Sequence, residues 1–259
     1  MELNGGTPLG GETGRIEEGY SMNYLWMYEI GGIFQSQAEI DAWRKKYADL
    51  SIGQSLTNPT AGYQYRPGDM YFVDVYGNPR NSKERYSNIQ DSIINTSDRK
   101  YVGKTIPGFY YGLNIGANFK GIDLSIFFQG VGDVQKYNAV RSGLEGMGGL
   151  ANQQTTVLER WTPSNPSNTM PRAVFNNPSN PSRSSTRYVE DAGYLRLKNV
   201  QIGYTIPRSF LSKAGFIQNF RLYASGINLF TITDWTGLDP ENDGVPITRQ
   251  FMFGVNATF

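Results

Sequence analysis

Gln250-Phe-Met-Phe-Gly-Val-Asn-Ala-Thr-Phe259 closes this sequence, with apolar side chains at Phe251, Phe253, Val255, Ala257 and Phe259. Gln250, Met252, Gly254, Asn256 and Thr258 fill the places between. Successive side chains of a strand point to opposite faces, so this reads as a strand with one apolar and one mostly polar face. An exposed strand in water gains little by ending on phenylalanine. A strand lying against lipid gains from an aromatic ring at the water interface.

Upstream, the same alternation makes a hairpin. Phe109, Tyr111, Leu113, Ile115, Ala117 and Phe119 share one face, with Tyr110, Gly112, Asn114, Gly116 and Asn118 on the other. Lys120-Gly121 turns the chain, and Ile122, Leu124, Ile126 and Phe128 continue the apolar face against Asp123, Ser125, Phe127 and Gln129. Each arm has about the ten residues that cross a bilayer at a tilt. A half-buried hairpin of a soluble protein carries the same pattern. Taken alone, the hairpin favours the soluble reading.

Three more segments extend the series. Leu195 and Leu197 share a face, but Val200, Ile202, Tyr204 and Ile206 take the opposite phase, which predicts at Lys198-Asn199 either a bulge or the point where the strand leaves the apolar layer. Phe220 to Thr231 reads as a strand, reached through a Pro207–Ile217 connector with a helical turn in it, and 235–246 as a loop. Gly19 to Ile33 alternates less cleanly and predicts a sixth strand. Ser36-Gln-Ala-Glu39 is a capping box, and Ile40, Trp43, Tyr47 and Leu50 follow at helical spacing, predicting a packed amphipathic helix over 37–50. Met70 to Val75 predicts a short strand before a turn at Tyr76-Gly-Asn-Pro79. Residues 130–191 make a very long connection with a short helix expected over 153–161. Residues 1–18, Gly-rich and polar, are expected to be a disordered lead.

Composition narrows the function classes. The 259 residues carry 24 basic and 23 acidic side chains, a net charge of +1 that gives no nucleic-acid footprint. Cysteine and histidine are both absent, which removes disulfides, thiolate metal sites and histidine-based acid–base systems. An enzyme is therefore not expected. No run of about 18 apolar residues exists, so no transmembrane helix is expected, but alternating barrel strands average to a polar hydropathy. The first fifteen residues lack the basic-then-apolar pattern of a signal peptide, so an export signal would have to lie outside this sequence.

Several stretches together resemble the SusC/RagA family of TonB-linked outer-membrane transporters: Gly121-Ile-Asp-Leu-Ser-Ile-Phe-Phe-Gln-Gly-Val131, Tyr194-Leu-Arg-Leu-Lys-Asn-Val-Gln-Ile-Gly-Tyr-Thr-Ile-Pro207, Leu222-Tyr-Ala-Ser-Gly-Ile-Asn-Leu-Phe230, Gly237-Leu-Asp-Pro-Glu241 and the terminal Phe253-Gly-Val-Asn-Ala-Thr-Phe259. Weaker similarity runs through 32–41 and 68–75. The resemblance implies an all-β fold, an antiparallel transmembrane barrel segment supplying the last five or six strands of a barrel of about 22. It implies residues 19–107 as a strand plus long loop, residues 108–259 as the last five strands, and a plug domain that is absent here. Five or six strands cannot close a lipid-facing barrel, so the chain is expected to be a fragment. The resemblance also sets periplasmic turns at 120–121 and 207–217, and extracellular segments at 34–107, 132–192 and 232–246.

Site expectations follow. Phe109, Tyr111, Leu113, Ile115, Ile122, Leu124, Ile126, Phe128, Phe251, Phe253 and Val255 are expected to face lipid. Asn114, Asn118, Ser125, Gln129 and Asn256 are expected to face a wet lumen. The resemblance implies a barrel-assembly signal at Gly254, Ala257 and Phe259, departing from the family at Met252. Two acidic stretches are weak metal candidates, 74–78 and the cluster Asp239, Glu241, Asn242 and Asp243; a plain turn and a solvated loop are the stronger readings, so no metal or cofactor is expected. Loop aromatics Trp161, Tyr188 and Trp235 either pack or stack on sugars. Implied partners are a SusD-like surface lipoprotein, TonB through an N-terminal part, the barrel-assembly machinery, outer-membrane lipid and an oligosaccharide or peptide cargo. The implied function is a segment of an importer that does not transport alone. A non-functional remnant and a soluble β-rich carbohydrate-binding module are the alternatives.

Overall fold

Eleven-residue strands set the architecture. The computed structural model describes residues 9–11, 13–46, 65–77, 87–91, 94, 96–175, 184–211, 215–242 and 244–259. The chain divides into two units, Met1–Ile106 with Lys136–Val189, and Pro107–Gln135 with Glu190–Phe259.

The second unit is a five-stranded antiparallel sheet. Its strands are β5 (Phe109–Phe119), β6 (Ile122–Gly132), β9 (Tyr194–Thr205), β10 (Asn219–Thr233) and β11 (Gln250–Thr258), in the order β11-β10-β9-β6-β5. Each strand neighbours the next long strand in sequence, the meander expected of an up-and-down wall. The β5–β6 hairpin turns on two residues, Lys120 at φ 47° and Gly121 at φ 86°. Both central residues at positive φ define a type I′ turn, whose twist matches the flanking strands. A Cβ on Gly121 would lie 2.8 Å from the Thr205 carbonyl oxygen, so glycine is required there for space as well as conformation.

The expected bulge is present. Phe127 pairs with Asn199 and Phe128 with Leu197, which leaves Lys198 as the extra residue of β9. On the other side of β9, Ile227 faces Asn199 and Phe230 faces Leu197, with Asn228 at φ 54° absorbing the bend in β10. One inserted residue flips the phase of a strand. Leu195 and Leu197 thereby share a face with Val200, Ile202 and Tyr204, as the pairing registers require. The connector after β9 holds the expected helical turn, α3 (Arg208–Leu211).

The first unit is built differently. It contains β1 (Leu25–Tyr28), β2 (Ile30–Ile33), α1 (Gln37–Lys46), β3 (Met70–Phe72), β4 (Arg99–Gly103) and α2 (Ala139–Glu145); the short strands β7 (Gln135–Tyr137) and β8 (Val189–Asp191) fall at the ends of its second segment. β1 pairs with β4 and β2 with β3. The sixth long strand expected over 19–33 is therefore not formed. Gly32 at φ 146° and a register break between Ile30 and Gly32 interrupt it, and Tyr24 through Tyr28 are buried on both faces rather than alternately. The described part of the lead expected to be disordered is tied down, with Leu9 bridged to Ile16 and Arg15 to Tyr24.

α1 starts where the capping box places it. The Glu39 amide donates to Ser36 Oγ (3.3 Å), and Glu39 Oε2 accepts from the Gln35 amide (2.7 Å). Its last four expected residues, 47–50, lie outside the described residues. Ile40 is fully buried in a cluster with Tyr28, Phe34, Tyr65, Met70, Phe72 and Ile94, with Trp43 packed against it. Residues 136–189 join this unit through side chains. Arg172 grips buried Asp69 (Nε to Oδ1 2.6 Å), and Trp161 Nε1 donates to Gln35 Oε1 (3.0 Å). Within that segment the short helix expected at 153–161 is a 3₁₀ turn over Thr155–Glu159, and α2, capped by Asn138 Oδ1 on the Arg141 amide, was not anticipated from sequence.

Candidate functional site: a sheet with one apolar and one polar face

The pairing registers bring every residue expected to face lipid onto one side. Across the sheet run Leu113–Phe128–Leu197–Phe230, Ile115–Ile126–Val200–Gly226–Phe251 and Ile122–Tyr204–Leu222–Val255. This face is bare: Phe109 is 55% exposed, Val255 60% and Phe253 83%. Leu124, Ile126 and Phe128, inside the sheet, are half-buried by their neighbours. An eleven-residue strand at about 3.4 Å per residue, tilted roughly 45°, covers about 25 Å, the height of the apolar band on outer-membrane barrels.

Aromatic rings mark both ends of the band. Phe109 and Tyr111 lie at the loop end, over Gly132 and Gly130; a Cβ on either glycine would sit 2.3 Å from the ring. Glycine in these slots gives each ring its seat. At the turn end stand exposed Phe119 and Tyr204, and the terminal Phe259 stacks on Phe216 of the β9–β10 connector, centroids 6.1 Å apart and planes 4° off parallel.

The opposite face carries Asn114, Asn118, Ser125, Gln129 and Asn256, in register with Phe127, Asp123, Gly116, Gly112 and Arg221 respectively. Sequence reasoning missed two charged assemblies on it. In the first, Asp123 of β6 reaches over β9 to Arg221 of β10 (Oδ1 to Nε 2.9 Å, Oδ2 to Nη2 2.5 Å). Gly203 lies beneath this pair, and a Cβ there would fall 2.3 Å from Arg221 Nη2. The Arg221 guanidinium stands 5.2 Å from the Tyr223 ring centre, and that ring in turn covers Gly254 of β11. Side chains thus strap four strands together, and the two glycines are the places where the strap crosses backbone. The sequence signal was available: a glycine on the polar face of one strand opposite a large polar side chain on the next.

In the second assembly, Arg196 is fully buried. It donates to Asp239 Oδ2 (2.6 Å), Glu241 Oε2 (2.8 Å) and Thr231 Oγ1 (2.9 Å), and packs 4.7 Å from the Tyr194 ring centre. Asp239 Oδ1 also accepts the Glu241 and Asn242 amides (2.9 and 3.2 Å). The cluster weighed as a weak metal site is therefore neutralised by an arginine and used to pin the 234–249 loop, with Asp243 outside the described residues. Among the described residues, no group of three or more acidic ligands could hold a metal. In the other acidic stretch Asp74 is buried, the Val75 and Tyr76 amides donate to Asp98 Oδ1, and Asn78 lies outside the described residues.

Of the loop aromatics weighed for sugar stacking, all three are packed away. Trp161 is buried beside Gln35, Tyr188 is fully buried, and Trp235 lies in a cluster with Val131, Val134, Ala192 and Tyr194.

An antiparallel meander with one bare apolar face and one polar face, at bilayer height and with rings at both margins, is a segment of transmembrane β-barrel wall. No protein-family model matches the chain. It is 32% identical over 268 aligned positions to TonB-dependent receptor P3 of Formosa agariphila, covering 96% of this chain and 23% of that protein. TonB-dependent receptor P39 of the same organism matches at 25% identity over 90% of the chain. Among solved structures, a chain of the RagAB peptide importer in its open-open state superposes with a TM-score of 0.69 at 23% identity, over 97% of this chain and 24% of that one. The closed-closed state gives the same TM-score, 0.69. The similarity to TonB-dependent receptors thus holds along nearly the whole chain, which spans about a quarter of the length of the curated relatives it matches.

Proposed function

We propose that this chain forms the closing portion of the barrel of a SusC/RagA-like importer in the outer membrane, energised through TonB. The observation that carries this reading is the bare apolar face: Phe109, Val255 and Phe259 stand open and Leu124 is half-buried. In water such a face would drive aggregation; against hydrocarbon it is the stabilising surface. The polar face then lines the lumen, with the Lys120-Gly121 turn and the β9–β10 connector on the periplasmic side. The loops at the other end lie outside the cell, where a SusD-like lipoprotein would cover the captured cargo.

The cargo class is an oligosaccharide or a peptide, the latter being what the similarly folded RagAB importer carries. The chain has no catalytic task in this reading. It supplies wall, and gating belongs to a plug outside this sequence. Gly254, Ala257 and Phe259 present the terminal strand to the barrel-assembly machinery, and β5 and β11, at the two margins of the sheet, take their remaining pairing partners from the rest of the barrel.

Membrane fractionation tests this, on the chain expressed with and without a co-expressed N-terminal remainder. The expected result is sedimentation with outer membranes, resistance to urea washing and release only by detergent. Recovery of folded protein in plain buffer would support a soluble carbohydrate-binding module. Insoluble aggregate even with the remainder would mark a decayed remnant.

A further inference from the structure

We infer that the apolar face of the sheet holds one ordered glycerophospholipid, with its acyl chain in a groove over Ala224 and its phosphate at the Lys120 turn. The inference rests on the membrane reading above and adds a specific site to it.

The groove, of about 580 Å³, is lined on the apolar face by Ile122, Ile202, Tyr204, Leu222, Phe253 and Val255. Its floor is the small side chain of Ala224, which is in register with Ile202 on one side and Phe253 on the other. Large side chains on both flanking strands and a methyl group between them make a trough across β9, β10 and β11. One position further along β10, the Leu229 side chain lies within 2.7 Å of where a Gly226 Cβ would be, and this closes the far end. Barrel strands tilt from the bilayer normal, so an acyl chain standing upright in the leaflet crosses neighbouring strands diagonally.

Charge selects the occupant. The trough opens toward the end of the sheet where Ile122 pairs with Tyr204, and the Thr205 amide donates to the Gly121 carbonyl (2.8 Å). The two connectors at that end carry Lys120 and Arg208, and no acidic residue occurs in the sequence from 107 to 122 or from 192 to 222. Asp123, the acidic residue next to Ile122, is on the other face and committed to Arg221. Lys120 extends along the Phe119 ring, 5.2 Å from its centre, at the level where headgroups begin. An apolar trough ending in cations on an aromatic margin fits a lipid whose head is a phosphate ester. A neutral apolar ligand would have no use for the cations, and an apolar peptide segment would need polar partners for its backbone that this face does not offer.

The test is native mass spectrometry of the full-length transporter purified in mild detergent with phosphatidylglycerol added. The unaltered protein is expected to keep one lipid adduct when detergent is stripped. Ala224→Phe, which fills the trough, is expected to lose it. Lys120→Gln, in the turn and outside the strand packing, is expected to lower retention about fivefold, as removal of one basic residue near an anionic headgroup does. Arg249→Gln at the loop end is the control and should change nothing. No adduct on the unaltered protein, or equal retention by Ala224→Phe and Lys120→Gln, overturns the site. A transporter that fails to fractionate with membranes overturns the membrane reading instead, so the two failures are separable.

Discussion

The two units dispose of their aromatic residues in opposite ways. In the first, Leu25 to Tyr28 are buried on both faces of a four-residue strand, and Tyr28, Phe34 and Phe72 share a core with Ile40. In the second, long strands leave Phe109, Phe251, Phe253 and Phe259 in the open. Both use the same residue types. What separates them is strand length and register: short strands broken by Gly31-Gly32 pack around a helix, whereas nine- to fifteen-residue strands in register build a wall with no covering layer of its own. The lesson is that aromatic richness predicts burial only after the solvent on each side is known.

That contrast can be broken experimentally. Phe34→Ala in the first unit should cost about 3–5 kcal/mol, the usual loss for a large buried ring, whereas Phe253→Ala should cost less than about 1 kcal/mol in detergent. Urea midpoints of the two variants decide, and equal losses would erase the distinction between the units. Comparable in size is Arg196→Ala, which strands the buried Asp239 carboxylate and should cost about 3–5 kcal/mol. Glu241→Gln should cost under about 1 kcal/mol, because that carboxylate is half exposed, at 48%. Limited proteolysis should then open the 234–249 loop in the first variant and not in the second.

Next in size is a pair that tests the faces themselves. In lipid vesicles, Leu113→Arg should destabilise by about 2–4 kcal/mol, while Asn114→Arg, one residue along, should change stability little. A soluble fold would not distinguish them in this direction. Smaller again is Gly254→Ala. Its Cβ would meet the Tyr223 ring at 2.3 Å and push it off β11, which should cost about 1 kcal/mol; Tyr223→Ala in the same background should add little more, because the contact is already gone.

The smallest effect concerns pH. Burial pushes the Tyr188 phenol above its ordinary value near 10, and the Arg187 guanidinium only partly offsets this. The unfolded chain therefore gives up this proton at a lower pH than the folded unit does. The contribution is complete below about pH 10 and is lost as the pH climbs toward the folded value. Tyr188→Phe should flatten the fall in the first unit's unfolding midpoint between about pH 9 and pH 11.

Much of the second unit was legible beforehand because a strand has a period of two, and alternation states which side chains share a face. The Lys198 bulge was legible for the same reason, since one extra residue leaves a phase error that the sequence records. Gly19 to Ile33 misled because partial alternation was read as a long strand, where two glycines and a capped helix nearby pointed to short pieces around a core. The Arg196 assembly was hidden by distance in sequence: the Gly237-Leu-Asp-Pro-Glu241 carboxylates read as a solvated cluster until a strand 40 residues earlier supplied their cation.

By itself, then, the sequence determined the strands of the wall, their two faces, the position of the Lys120-Gly121 turn and the terminal ring, because each depends on local spacing and backbone preference. Only the tertiary structure decided that residues 136–189 pack with the first unit, that Asp239 and Glu241 meet an arginine, and that Gly203 and Gly254 lie beneath side chains of the next strand. Those outcomes depend on which segments meet across the sheet, and electrostatic partners and steric clearances come into being only when pairing brings distant residues within a few ångströms.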